Sequence, residues 1–121
     1  MTARRVLVTG GSGFLGSSVV PGLAASEGIE LVVSADLREP IGPVDDVTYE
    51  TADVVDGGRV NQLISSHRID TVVHLASIVN PGKGISDELA HTVDVDGTRN
   101  VLDACVAHGV RRIVVSSSGA A

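Results

Sequence analysis

The sequence predicts an α/β fold in which helices cover both faces of a parallel sheet, and three observations support this prediction. Val and Ile are frequent, whereas aromatic residues make up 2% of the 121 residues, so the core should be aliphatic. Residues 69–75 carry apolar side chains on both faces, as a central strand of a parallel sheet does. Residues 5–16 read as a β-branched strand, a glycine-rich turn and the start of a helix.

Length and cysteine content fit one domain in a reducing compartment. A chain of 121 residues can bury one core, and we expect residues 1–121 to form a single domain. The lone Cys105 excludes an internal disulfide and a cysteine metal cluster, and no other pattern predicts a metal site. We therefore expect a cytoplasmic location.

Charge and hydropathy argue against several partners. The formal net charge is -6 and Lys and Arg do not cluster, so nothing favours nucleic acid or an anionic membrane as a partner. The apolar runs are far too short to span a bilayer. The first strand begins at Arg5 without the apolar segment of a signal peptide.

The glycine-rich turn has the composition of a phosphate site, although a turn without any ligand is the alternative. Gly10 can adopt backbone angles closed to other residues, and Gly13 lets the main chain approach a ligand. Gly16 lets the helix pack closely on the strand. We expect the helix to open near Gly13 with Ser12 as its N-cap, presenting free N–H groups and a positive dipole end to an anion.

A proline lies inside this first helix, which should extend to Ala24. Pro21 removes a backbone hydrogen bond at a cost of about 3 kcal/mol, so a kink or an early end is expected there. The binding turn precedes it.

An acidic residue ends the second strand. Residues 30–35 lead to Asp36, about 20 residues beyond Gly16, where a carboxylate accepts hydrogen bonds from both hydroxyls of an adenosine ribose. Arg38 could instead bind the 2′-phosphate of NADP, stack on the adenine or remain in solvent. Because Asp36 would repel that phosphate, NAD is the favoured cofactor.

The spacing T-G-x-x-G-x-x-G, from Thr9 to Gly16, resembles that of the short-chain dehydrogenase/reductase superfamily. The full run is similar to the extended branch, the NAD-dependent epimerase/dehydratase family, and later motifs extend the resemblance over nearly the whole chain. The resemblance implies a Rossmann-like doubly wound sheet. It also implies that the pyrophosphate is held by Gly10, Gly13, Phe14, Leu15 and Gly16.

A third strand, residues 47–51, precedes an Asp-Val pair. In the resembled family such a pair contacts the adenine, which gives Asp53 and Val54 that role. Asp53 or Asp56 could instead cap the next helix, residues 58–67, and for Asp56 capping is the favoured interpretation.

The fourth strand ends in a run that resembles the family's H-x-A-[AGS] element. The resemblance implies that Leu75, Ala76 and Ser77 line the pyrophosphate and the ribose beside the nicotinamide. His74 could be a general base, but the family transfers protons elsewhere, so we favour a structural histidine bonded to backbone. Residues 78–84 are a candidate lid over the nicotinamide.

The third helix, residues 86–108, is predicted to have two apolar faces. The face toward the sheet carries Leu89, Ala90, Val93, Gly97, Val101, Ala104 and Cys105. Val95, Leu102 and Val106 lie opposite, where they indicate another protein layer or scattered surface aliphatics. The resembled family pairs this helix with its symmetry mate, so a homodimer is expected.

Residues 93–102 resemble the family's N-V-x-G-T-x-N-V-L helix with one departure. Asp94 stands where the family has an asparagine that helps to hold the active-site water, and we include it among the cofactor-site residues. A carboxylate only accepts hydrogen bonds, whereas an amide also donates, so altered or absent activity could follow.

The fifth strand begins at Arg111 and leads to three serines. By resemblance, Ser118 matches the catalytic Ser/Thr that hydrogen-bonds a substrate hydroxyl or carbonyl, and Ser116 and Ser117 lie beside the cofactor. A strand-end turn of small polar residues is the alternative.

The family's catalytic Tyr-x-x-x-Lys is absent, since Tyr49 is the single tyrosine and Lys83 the single lysine and they are not spaced that way. The strands are expected in the order 3-2-1-4-5, with strand five as an edge strand whose outer backbone groups are unpaired. We expect the front part of a longer polypeptide, without the C-terminal strands and substrate region.

These features predict an NAD-dependent oxidoreductase, epimerase or dehydratase that transfers a hydride between NAD and a carbon of a nucleotide sugar, steroid or other alcohol. The chain would supply the cofactor site and be inactive alone. A non-catalytic NAD(P)-binding module that senses redox state is the alternative, favoured by Asp94 and the missing motif and opposed by Ser118.

Overall fold

Five parallel strands form one sheet in the order β3-β2-β1-β4-β5, which confirms the predicted order. The strands are β1 (Arg4–Thr9), β2 (Ile29–Asp36), β3 (Val47–Thr51), β4 (Thr71–His74) and β5 (Arg112–Val115). The helices are α1 (Gly16–Ala24), α2 (Gly57–Ser66) and α3 (Asp87–Ala107). This computed structural model describes residues 4–13, 15–40, 42–75 and 87–115, with residues 87–94 described by their backbone alone.

Each face of the sheet has its own apolar core, because side chains of a strand alternate between the faces. Leu7 of β1 packs on the face covered by α2 and α3, whereas its neighbours Val6 and Val8 pack on the face covered by α1. All three side chains are at most 1% exposed. The sheet is therefore doubly wound, as the aliphatic composition predicts.

Strand register brings the carboxyl ends of the strands to one edge. Thr9 of β1 lies beside Ala35 of β2 and beside His74 of β4. Asp36 is the partner of Thr51 at the end of β3. The glycine turn, Asp36 and the turn after β3 therefore share the edge at which open α/β sheets bind ligands.

The start of α1 differs from the prediction. The helix begins at Gly16 rather than near Gly13, and its N-cap is Leu15, which makes no side-chain cap hydrogen bond. The prediction that Ser12 caps α1 is wrong, because the helix begins a full turn later, at Gly16, and Leu15 takes the N-cap position. Pro21 lies within the helix, which ends soon afterwards at Ala24.

The cap of α2 confirms the prediction for Asp56. Its Oδ1 accepts a hydrogen bond from the N–H of Arg59 at 3.2 Å. This bond satisfies one of the N–H groups that the first turn of a helix leaves without a partner. The helix spans Gly57–Ser66 rather than residues 58–67.

One face of α3 is buried as predicted. Val101 and Ala104 are fully buried against the sheet and Cys105 is 7% exposed. Burial raises the pKa of the Cys105 thiol by desolvating the thiolate. The predicted contacts of Leu89, Ala90 and Val93 lie outside the described side chains.

Two apolar surfaces remain open to solvent. On α3, Val95, Leu102 and Val106 are 37%, 42% and 85% exposed, opposite the buried face. At the edge of the sheet, all four residues of β5 are exposed, including Ile113, Val114 and Val115. In the described part of the chain, no helix is long and apolar enough to cross a membrane.

Candidate nucleotide-binding site

The glycine turn carries the chain from β1 into α1 under two steric constraints. Gly10 has a φ of +76°, a conformation that favours glycine, and its N–H donates to the carbonyl of Ala35 at 2.8 Å. A Cβ on Gly16 would collide with the carbonyl oxygen of Gly10 and lie 2.6 Å from the Cα of Gly11. The start of α1 can therefore lie against the turn only if residue 16 is glycine.

Gly11 is a further constrained position that the sequence reasoning missed. A Cβ on Gly11 would collide with the Oγ of Ser34 and lie 3.0 Å from its Cβ. Ser34 is 2% exposed, and its hydroxyl has no hydrogen-bond partner among the residues that the structure describes. One sequence signal could have indicated that Ser34 lies near the glycine turn. Ser34 is two residues before Asp36 on β2, so both side chains lie on the same face of the sheet.

The carboxylate of Asp36 is held by backbone N–H groups from two directions. Oδ2 accepts from the N–H of Ser12 at 3.0 Å, and Oδ1 accepts from the N–H of Arg38 at 3.0 Å. The side chain is 10% exposed. Asp36 therefore faces the glycine turn in a fixed orientation, with acceptor capacity left because each carboxylate oxygen can take more than one hydrogen bond.

Arg38 folds back over the same turn. Its Nε lies 3.6 Å from Oδ1 of Asp36, and its side chain is 69% exposed. A Cβ on Gly13 would lie 3.0 Å from Nη2 of Arg38 and 3.3 Å from the carbonyl oxygen of Gly10. The guanidinium thus lies beside Gly13, while most of the Arg38 side chain is exposed to solvent.

The N-terminus of α1 is open to an anion. Its first turn contains no acidic residue, and no side chain caps it. The N–H groups of Ser17 and Ser18 donate to the carbonyls of Gly13 and Leu15 at 2.9 and 3.1 Å, so within the described residues the N–H groups of Leu15 and Gly16 remain for a ligand. Leu15, at the N-cap, is 51% exposed beside them.

The turn after β3 is fixed to α3. Oδ1 of Asp53 accepts from the N–H of Val55 at 3.0 Å, which closes a local turn. Nδ2 of Asn100 donates to the carbonyls of Val54 and Val55 at 2.9 and 3.0 Å. The Val54 side chain is buried, and a Cβ on Gly97 would lie 2.6 Å from its Cγ2. Asn100 therefore supports the turn that presents Asp53 at the edge of the site. The sequence did not indicate this role for Asn100.

His74 is buried between two threonine hydroxyls. Its Nδ1 lies 2.6 Å from Oγ1 of Thr9, and its Nε2 lies 3.0 Å from Oγ1 of Thr98. At 3% exposure it connects the end of β1 to α3, which supports the structural interpretation over a general base. The adjoining Leu75 donates its N–H to the carbonyl of Thr9 at 2.9 Å and packs on the α1 side of the sheet.

The single tyrosine makes a structural contact with the loop before β3. The Tyr49 hydroxyl accepts from the N–H of Val44 at 2.8 Å, and its ring packs in the core beneath α1. Within the described ranges, no cluster of His, Cys, Asp and Glu could hold a metal ion.

Several predicted site residues lie outside the described residues. These are Phe14, Ala76, Ser77, Ser116, Ser117 and Ser118, together with the candidate lid at residues 78–84. For Asp94 the backbone is described as part of α3, and the side chain is not. The roles given to these residues stay predictions.

Comparison with protein families gives a match over almost the whole chain. The model of the NAD-dependent epimerase/dehydratase family matches residues 6–121. The curated relatives include a UDP-glucose 4-epimerase of Halalkalibacterium halodurans, 32% identical over 95% of this chain and 35% of its own length. They also include the 3 beta-hydroxysteroid dehydrogenase type 7 of Rattus norvegicus, 38% identical over 93% of this chain and 35% of its length. The chain thus spans about a third of these relatives.

Solved structures share the fold of this chain, at sequence identities similar to those of the curated relatives. A UDP-glucose 4-epimerase of Thermus thermophilus, in complex with NAD, superposes with a TM-score of 0.82 at 34% identity over 95% of this chain and 38% of its own. A uronate dehydrogenase of Agrobacterium tumefaciens gives a TM-score of 0.80 at 30% identity, over 98% of this chain and 42% of its own.

Proposed function

Because this chain belongs to the NAD-dependent epimerase/dehydratase family, we propose that the carboxyl edge of its sheet binds NAD. The observation that carries the proposal is the Asp36 carboxylate, held by the N–H groups of Ser12 and Arg38 beside an uncapped helix N-terminus. An acceptor for ribose hydroxyls thereby adjoins a site for a diphosphate.

The described residues fit the adenosine side of the cofactor. Asp36 accepts the hydroxyls of the adenosine ribose, and Asp53 and Val54 border the adenine at the end of β3. Gly10, Gly13, Phe14, Leu15 and Gly16 would hold the pyrophosphate at the start of α1. By the family resemblance, the nicotinamide end would be lined by Leu75, Ala76, Ser77, Ser116, Ser117 and Asp94.

The proposed reaction is hydride transfer between NAD and an alcohol carbon, with a nucleotide sugar, a steroid or another alcohol as substrate. The bound nicotinamide supplies the hydride acceptor. Ser118 orients the reacting oxygen by a hydrogen bond. The 121 residues contain no Tyr-x-x-x-Lys, so this chain by itself should bind the cofactor without turning substrate over.

The alternative, a non-catalytic redox-sensing module, has less support. The relatives and solved structures named above are epimerases and dehydrogenases, and the family is one of enzymes. The substitution of Asp94 for the usual asparagine is the feature that would favour a sensor.

Two further parts of the proposal concern assembly and location. The exposed Val95, Leu102 and Val106 form one stripe on α3, and we propose that two copies of the protein pack through it as a homodimer. The single cysteine is buried and cannot form an internal disulfide, which fits a cytoplasmic protein.

Calorimetry with ADP-ribose tests the cofactor site without needing the nicotinamide end. Binding of ADP-ribose to the wild-type protein, lost in a variant altered at Asp36, is the expected result. Absence of heat with folded protein would refute the proposal.

A further inference from the structure

Arg38 places one terminal nitrogen, Nη2, over the glycine turn. Only its Nε faces Asp36, at 3.6 Å, while Nη2 lies over Gly13. Among the residues that the structure describes, no carbonyl or side-chain oxygen accepts a hydrogen bond from either Nη. The guanidinium is therefore oriented through Nε, and within the described residues its two Nη groups have no hydrogen-bond acceptor.

This orientation depends on a carboxylate that is itself held by two backbone hydrogen bonds. Asp36 is held by the N–H groups of Ser12 and Arg38 and is only 10% exposed, so it fixes the position of the guanidinium rather than following it. The backbone bond from Arg38 to Asp36 also closes a short loop that sets where the arginine side chain starts. Asp36 thus positions the guanidinium, and its own position is set by the two backbone N–H groups.

A guanidinium at this place suits a phosphate better than a base or a ribose. Its planar fork pairs two N–H groups with two phosphate oxygens, and such charge-assisted hydrogen bonds are stronger than neutral ones. Nη2 lies 3.0 Å from where a Cβ on Gly13 would stand, and an anion bound there would also adjoin the N–H groups at the start of α1.

On the basis of the proposed function, we infer that Arg38 is a ligand of the 5′-phosphate on the adenosine side of the cofactor, and that its ion pair with Asp36 holds it ready over Gly13. The residue is then a specificity determinant for 5′-phosphorylated adenosine. It does not serve the 2′-phosphate of NADP, because that phosphate would lie against the Asp36 carboxylate.

The inference is tested by titrating the full chain with adenosine, 5′-ADP and 2′-AMP in the calorimeter. Arg38→Gln should weaken 5′-ADP roughly tenfold, the scale for one hydrogen bond to a charged group, and leave adenosine within about twofold of the wild-type value. Arg38→Lys, which keeps the charge without the fork, should fall between the wild type and Arg38→Gln. The salt dependence of 5′-ADP binding should decrease in Arg38→Gln.

Arg111→Gln is the matched control, since it removes the same charge from an exposed residue at the opposite, amino-terminal end of the sheet. It should leave all three affinities unchanged.

Equal losses of affinity for adenosine and for 5′-ADP in Arg38→Gln would overturn the inference in favour of adenine stacking. A larger loss of affinity for 2′-AMP than for 5′-ADP would overturn it in favour of a 2′-phosphate ligand. Tighter binding of 5′-ADP would overturn it in favour of a side chain that only obstructs the site. A wild-type protein that binds neither adenosine nor 5′-ADP would instead refute the proposed function itself.

Discussion

The carboxylate of Asp36 accepts the backbone N–H of Ser12 at 3.0 Å, so the acid at the end of β2 is fixed to the turn that follows β1. This bond joins the glycine turn to Asp36, the two parts of the site that a bound dinucleotide would contact at the same time. A hydrogen bond that already joins the two parts lowers the cost of ordering the site when a ligand binds.

Replacing Asp36 with Ser should weaken NAD by roughly 1–3 kcal/mol, the scale for losing a buried hydrogen-bonding partner, and reduce the bias against NADP. Calorimetric titration with both cofactors measures the two effects. Asp45→Ser, in the exposed loop before β3, removes the same charge away from the site and is the control. Unchanged NAD affinity in Asp36→Ser would contradict the assignment of the ribose to this carboxylate.

Replacing Gly13 with Val should abolish binding of NAD and ADP-ribose while leaving the fold intact. The nearest atom to an added Cβ belongs to the exposed Arg38 side chain, so the cost falls on the ligand's space rather than on the core. Thermal unfolding measures the fold, and calorimetry measures binding. Gly22→Val, on the open face of α1 where a Cβ meets nothing within 4 Å, is the control and should bind normally. A Gly13→Val protein that still binds NAD would place the cofactor elsewhere.

Gly11→Ala should destabilise the protein by about 1–3 kcal/mol, because its Cβ would overlap the Ser34 hydroxyl in a packed interior. Ser34→Ala should be neutral or stabilising by about 1 kcal/mol, since it removes a buried hydroxyl that has no partner among the described residues. Denaturant unfolding of the two single variants and of the double variant gives their coupling. If the two effects simply add, the predicted overlap is absent.

Replacing Val95 and Leu102 with Glu should yield smaller particles by light scattering, because two charges would interrupt the exposed stripe of α3. Gln62→Glu with Ser66→Glu, on the exposed side of α2, adds the same charge outside the stripe and should leave the mass unchanged. An unaltered mass in the α3 variant would remove the homodimer from the proposal.

The fold could be predicted because its signals are local. The β3 bounds, the end of β2 at Asp36 and the cap at Asp56 follow from strand composition and capping chemistry within a few residues. The buried face of α3 follows from its helical period.

The parts that could not be predicted depend on contacts between distant segments. Ser12 has the right side chain for a cap, but α1 starts later and Asp36 takes the Ser12 N–H. The need for glycine at residue 11 arises only when β2 places Ser34 beneath it. The support of the Asp53 turn by Asn100 likewise requires α3 to be docked on the sheet.

Calorimetric titration of the full chain with NAD and with NADP, under one buffer and salt condition, tests the central claim most directly. The Asp36 site predicts that NAD binds and that NADP binds at least about tenfold more weakly, because its 2′-phosphate would face the carboxylate. Absence of heat with NAD, or tighter binding of NADP than of NAD, would contradict the claim.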